Sequence, residues 1–274
     1  MNEKRVSRTG WLYLVIMELF IVANIVRSLV GERGEMNIFL NALTSQMMMI
    51  LPVVIYYFIS QDGFKETFSL RMVRIPTLLL TVLYVILWYP LIAACNAFTM
   101  LFTENTAMAM QQDLKDASPL VVWLVVGVAG PLLEELSFRG AILSGLRKSG
   151  RIFAAVLLQA VMFGVLHLNL NQMAYAIVLG FAFGLAVSAT GSIWCGFLGH
   201  MMVNSASVAA MTAMSRMPGN MMQQSMDLAE SPFWKTQLLA VLPLLAFVGI
   251  AAAGLSILLL RAMAYTEGRE REFR

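Results

Sequence analysis

The sequence predicts an all-α, polytopic membrane helical bundle of about eight transmembrane helices, and three observations carry that expectation. Of its 274 residues, 59% are hydrophobic and only 13% charged, against roughly half and about a quarter in an ordinary soluble domain. The apolar residues gather in runs that repeatedly reach the ~20 residues an α-helix needs to cross about 30 Å of hydrocarbon. Barrel strands would be half that length and alternating, so helices are the spanning structure these runs fit.

Eight hydrophobic segments are expected, near 11–30, 37–60, 75–103, 119–146, 151–168, 172–189, 192–212 and 236–260. The first follows Lys4, Arg5 and Arg8 and superficially looks like a secretory signal. Glu18 and Asn24 interrupt it and no convincing small-residue cleavage site follows, so a retained helix is expected. Glu18 is expected to pair with a polar neighbour such as Asn96 or Gln159. Between the second and third segments, QDGFKETFSLRMVR (61–74) reads either as an amphipathic stretch lying flat at the inner interface or as a plain loop.

Placing the N-terminus in the cytoplasm puts the tail 1–10, the loop 61–74, the turns 147–151 and 190–192 and the tail from 261 on the inner side. With Arg139 counted as near-interfacial, these hold every Lys and Arg except Arg27, Arg33, Lys115, Arg216 and Lys235. The positive-inside rule then predicts an even number of spans with both termini cytoplasmic. Three sections follow: 1–118 with helices 1 to 3, 119–212 with helices 4 to 7, and 213–274 with an outer loop, the last helix and a cytoplasmic tail. In the outer loop, Met214, Met217, Met221, Met222 and Met226 read as soft packing rather than a metal site, since no His or Cys accompanies them. Cys95 and Cys195 both lie in hydrophobic runs, where two buried small apolar residues are the favoured reading and a disulfide the other. The net charge of +3 comes from clusters flanking the membrane, which speaks against nucleic acid as a partner.

Ionisable groups inside a bilayer are expensive and usually functional. The fourth segment places Glu134, Glu135 and Arg139 in an otherwise apolar helix. The fifth carries Phe163 and His167, and the seventh His200 and Asn204. These are the only two histidines in the chain, and both fall in predicted spans. Glu135 and Arg139 stand four apart, where opposite charges pair on one helix face, which leaves Glu134, about 100° around the helix, to face a cavity. The alternative is that all three charges form one structural network. Phe163 and His167 share a face, so the ring is placed to orient the imidazole. His200 and Asn204 stack one turn apart and are expected to offer polar heads to the same cavity.

This inventory is enough to hydrolyse an amide. A buried carboxylate takes a proton from water and returns it to the leaving amine, a histidine orients the water, and polar donors stabilise the oxyanion. No Ser or Cys is placed as a nucleophile. The same atoms allow a second reading, with Glu134, His167 and His200 holding a divalent metal such as zinc, although HExxH spacing is absent. Depth counting along the helices brings the residues level only if the turn at 147–151 projects beyond the Thr190–Ser192 turn. Arg139 then snorkels at the interface and the site opens to the cytoplasm. Pro131 is expected to kink the helix where the cavity begins.

EELSFR (134–139), FGVLH (163–167) and HMMVN (200–204) resemble the EExxxR, FxxxH and HxxxN/D motifs of the CPBP family. This is the family of CAAX proteases and bacteriocin-processing enzymes, also called the Abi or lysostaphin-resistance type. The resemblance spans 119 to about 210, and no motif position departs from the pattern. It implies a bundle of about eight spans and an intramembrane endopeptidase acting on a membrane-associated protein or peptide in a cell membrane of bacterial type. It also implies that Glu134 and His167 activate water, that His200 and Asn204 form the oxyanion hole, and that Glu135 and Arg139 support them. A membrane scaffold or bacteriocin-immunity protein is the non-enzymatic alternative. A transporter is a third, weakened by the lack of a second Gly/Pro-broken helix.

Overall fold

A computed structural model describes residues 2–31, 38–60, 62–103, 118–221, 224, 227 and 231–273. Met222 and Met226 of the methionine-rich loop, and Arg33 and Lys115 of the charge count, lie outside the described residues. The chain forms α1 (Asn2–Gly31), α2 (Ile38–Ser60), a short α3 (Phe64–Thr67), α4 (Ile75–Thr99), α5 (Pro119–Arg147), α6 (Ile152–Leu166), α7 (Leu170–Thr190), α8 (Ile193–Ser215), α9 (Pro232–Thr266) and a short α10 (Glu270–Phe273). Each of the eight expected segments falls on one of the long helices. Five of these, Glu3–Val26 within α1, α4, α5, α7 and Phe233–Thr266 within α9, are long and apolar enough to cross a membrane by length and composition.

The bundle is built from two packed groups. One joins α1, α2, α5 and α6, and the other joins α4, α7, α8 and α9, with α7 and α8 contacting both. Small residues let the backbones approach, as they do in membrane helix pairs generally. A Cβ at Gly180 would stand 2.9 Å from Ala160 Cα, and one at Gly164 would stand 2.8 Å from Met173 O and overlap the Ile177 side chain. The turn from α7 to α8 uses Gly191 at φ +72°, a conformation glycine adopts without steric cost. Ser192 then caps α8 by accepting from Trp194 N. Outward, α1, α2 and α9 present large apolar side chains such as Trp11, Phe58 and Phe247, as a lipid-facing surface requires.

Four expectations are corrected. Residues 2–10 are helical rather than a tail: Thr9 is buried, lies 3.2 Å from the Tyr56 hydroxyl and fills the space a Cβ on Gly145 would take. The segment 61–74 is neither a flat amphipathic helix nor a plain loop. After α3 it forms an isolated bridge between Leu70 and Ser192, and its Phe68 packs against Gly140 of α5, so it closes one end of the bundle. The C-terminal residues fold back onto the same end. Glu267 is buried and accepts from Arg74 N at 2.9 Å and from the Thr77 hydroxyl at 2.6 Å. Glu18 is exposed on α1, while Asn96 accepts from Asn171 Nδ2 at 3.0 Å and Gln159 is buried on α6. Cys95 and Cys195 are both free thiols, Cys195 buried and Cys95 half-buried; the favoured reading fits Cys195 fully.

Candidate active site

The middle of α5 departs from regular α-helix. Pro131 has no N–H to give, and around the Gly130–Glu135 turn the helix widens into π-helical stretches at Trp123–Ala129 and Leu136–Ile142. Such widened turns often accompany functional sites because they free carbonyls and re-aim side chains. One freed group is used directly: Asn204 Nδ2 donates to Val126 O at 3.0 Å.

Glu134 and Glu135 take different environments from adjacent positions. Glu135 is fully buried, with Oε1 at 2.8 Å from Arg139 NH1 and 3.0 Å from His200 Nδ1. Arg139 is also fully buried, its guanidinium lying 4.3 Å above the Phe163 ring centre and 5.5 Å from that of Phe183. It therefore does not reach an interface. The ring faces take the guanidinium planes that carboxylate does not. Glu134 keeps 21% of its side chain exposed, places Oε2 at 3.6 Å from His200 Nε2 and accepts from Gln46 Nε2 at 3.4 Å. His200 thus stands between the two carboxylates. Its approach depends on Gly196, one turn earlier on α8, where a Cβ would overlap Glu135 Oε2.

His167 closes α6, and its Nδ1 lies 2.9 Å from Phe163 O. A carbonyl can only accept, so Nδ1 carries the proton and Nε2 of the neutral ring is left as an acceptor. Phe163 meets His167 edge-on at 5.0 Å and His200 at 5.8 Å, so one ring spaces both imidazoles.

Glu134, Glu135, Arg139, Phe163 and His200 are thus in one contiguous cluster, with His167 joined to it through Phe163. Asn204 lies one turn beyond His200 and lines a cavity of about 370 Å³ together with Tyr89, Asn96, Gln172, Tyr175 and Ser207. Neither Glu134, His167 nor His200 lines that cavity. Among the described residues, no three His, Cys, Asp or Glu side chains gather as a metal-holding set. Three contributors went unnoticed in the sequence: Gln46, Gly196 and Phe183. Gln46 had a usable signal, being one of two amides, with Asn41, in the apolar run of α2; a glycine in an apolar helix and a phenylalanine among many carry none.

Comparison with known proteins agrees with the motifs. Residues 116–206 match the family described as type II CAAX prenyl endopeptidase Rce1-like. The chain is 33% identical over 103 residues to "Putative membrane peptidase YdiL" of Bacillus subtilis (strain 168), a match covering 38% of this chain. The chain spans about 41% of the length of that curated relative. No solved structure matches. With its apolar helices, the chain is an integral membrane protein whose residues 116–206 are similar to the type II CAAX prenyl endopeptidase Rce1-like family.

Proposed function

We propose that the protein is an intramembrane endopeptidase that hydrolyses a peptide bond of a membrane-associated protein or peptide, with Glu134 as general base. The observation that carries this reading is the unequal treatment of the two carboxylates. Arg139 neutralises Glu135, while Glu134 stays partly exposed beside His200. Glu134 takes a proton from water held by His167 Nε2, and the water oxygen bonds to the scissile carbonyl carbon. The carbonyl oxygen becomes an oxyanion facing His200 Nε2–H and the second N–H of the Asn204 carboxamide. A doubly protonated His200 donates to Glu135 through Nδ1 and keeps Nε2–H for this role. The C–N bond then breaks as Glu134 returns the proton to the leaving amine. What supports the glutamate pathway is the partial exposure of Glu134 beside His200, against the burial of Glu135 with Arg139.

The side from which substrate enters is read opposite to the sequence expectation. Toward the end carrying the 147–151 and 190–192 turns, Phe138, Ile142, Leu143, Val187 and Ile193 are fully buried, and Phe68 packs beneath Gly140. The cavity beside Asn204 lies in the other half of the bundle. Its lining alternates apolar side chains with the carboxamides of Asn96, Gln172 and Asn204, groups suited to an extended, uncharged peptide.

The test compares membrane peptides accumulating in cells that carry wild-type protein or Glu134→Gln, with chelator added in a parallel arm. Loss of cleavage by roughly a hundredfold or more, with expression and fold unchanged, is expected. Full activity of Glu134→Gln would make the cluster a structural scaffold. Loss on chelation with recovery on added zinc would replace the glutamate pathway by a metal-dependent one.

A further inference from the structure

Gln46 stands on α2, outside the segment 116–206 that carries the family match, yet α2 packs along the middle of α5 and brings this side chain to Glu134. Gln46 Nε2 donates to Glu134 Oε1 at 3.4 Å. An ionised carboxylate only accepts, so the carboxamide must turn its nitrogen this way. Gly130, one turn before Glu134, makes the room: a Cβ there would stand 3.4 Å from Gln46 Nε2 and 3.2 Å from Val125 O. The other end of the carboxamide, Gln46 Oε1, is buried and has no hydrogen-bond partner among the described residues. An amide kept only to join helices would satisfy both of its ends, because an orphaned buried acceptor lowers stability. Gln46 is thus retained for what its nitrogen does at Glu134.

We propose that Gln46 is a positioning residue for the hydrolysis and acts through Glu134; this rests on the reading of Glu134 as general base. The Gln46 N–H fixes Oε1, so that Oε2, which lies 3.6 Å from His200 Nε2, is the oxygen that takes the proton. The water O–H bond breaks as its oxygen bonds to the scissile carbonyl carbon, and the proton goes to Oε2. Oε1 becomes the carbonyl oxygen of the neutral acid and still accepts from Gln46 Nε2. The proton then passes from Oε2 to the leaving nitrogen as the C–N bond breaks, and the carboxylate is restored. The terminal torsion of a glutamate is broad. Without the Gln46 donor, the partly exposed carboxylate turns about that bond and offers either oxygen.

The experiment uses the full chain in detergent and Gln46→Met, which keeps the length of the side chain and removes the amide. The probe is an internally quenched peptide of uncharged residues, picked from a pool by its cleavage with wild-type protein. Gln46→Met should lower kcat roughly tenfold with KM unchanged, the size expected for one hydrogen bond to a charged group. Its thermal midpoint should be unchanged or raised, since the orphaned oxygen is gone. A lowered midpoint with a matching loss of folded protein would make Gln46 a packing residue and overturn the proposal. Glu134→Asp draws the carboxylate back by one methylene, beyond the reach of Gln46, so adding Gln46→Met to it should cost no further activity. An equal tenfold loss in that background would overturn action through Glu134. Infrared difference spectra, wild type minus Glu134→Gln, isolate the Glu134 carboxylate stretch without turnover. Gln46→Met should move that band, and an unmoved band would overturn the contact. Wild-type cleavage by Gln46→Met beside an inactive Glu134→Gln sinks this proposal and leaves the peptidase reading standing. Full cleavage by Glu134→Gln sinks the peptidase reading and the role of Gln46 with it.

Discussion

At Gly196, a hydrogen in place of a methyl group sets how near α8 comes to the Glu135 carboxylate. Gly196→Ala forces that carboxylate away from both Arg139 and His200, because the added carbon would overlap Glu135 Oε2 itself. Overpacking of this kind costs about 1–3 kcal/mol. The variant should therefore melt lower in detergent and lose cleavage together, whereas Glu134→Gln should lose cleavage alone. Arg139→Gln should be the most damaging of the three. It leaves Glu135 buried without its cation, and breaking one side of a buried pair costs about 3–5 kcal/mol. A thermal-melt series ranking Arg139→Gln below Gly196→Ala, with Glu134→Gln near wild type, checks the assignment. An unaltered midpoint for Arg139→Gln would mean that the buried Glu135–Arg139 pair does not contribute to stability. The Glu135–Arg139 pair could be read from its spacing of four. The space at Gly196 could not, since it depends on which helix face meets which neighbour.

At the scale of elements, α6 brings Phe163 and His167 to the cluster only because its own glycine lets α7 in close. Gly164 sits between those two residues in sequence and against Met173 O and Ile177 in space. Gly164→Ala has no flexible side-chain tip to push aside at the Met173 carbonyl, so α6 must shift away from α7. The expected outcome is a lower melting midpoint with reduced cleavage, and a cysteine cross-link between α6 and α8 should slow. Helix existence was legible because each run is long and almost continuously apolar, which is why all eight expected segments coincide with helices. Their ends were less so. Charged residues at 2–10 look like a tail, yet Thr9 and Tyr56 draw that stretch onto the bundle. The segment 61–74 mixes apolar and basic residues without a clear period, so its fold is decided by Gly140 and Ser192, which are far away in sequence. The widened turns of α5 were legible only as the expectation of a disturbance at Pro131.

For the whole molecule, two cavities lie at opposite ends of the bundle, and this separation makes the direction of access measurable. A basic cavity is built from the turn after α5, the Gly191 turn and the chain beyond α9. The cavity beside Asn204 is built from the far halves of α4 and α8 and the first turns of α7. Between them, Phe138, Arg139, Ile142 and Leu143 are fully buried, so water-filled passage from one to the other along the core is blocked. Depth counting had required the turn after α5 to stand beyond the Gly191 turn, and the Glu135–His200 contact agrees. Glu135 is twelve residues from Arg147, while His200 is only seven from Ile193, a difference of about 7.5 Å in helical rise. The proposed access follows as a labelling experiment in sealed, oriented vesicles. With Cys95 and Cys195 replaced by alanine, Lys148→Cys should react with a membrane-impermeant maleimide from one side, and Ser207→Cys from the other. If both react from the Lys148 side, substrate enters through the basic end and the buried layer must open to admit it. Reaction of Ser207→Cys from the opposite side, blocked by a peptide that competes for cleavage, would tie the cavity beside Asn204 to the hydrolytic cluster.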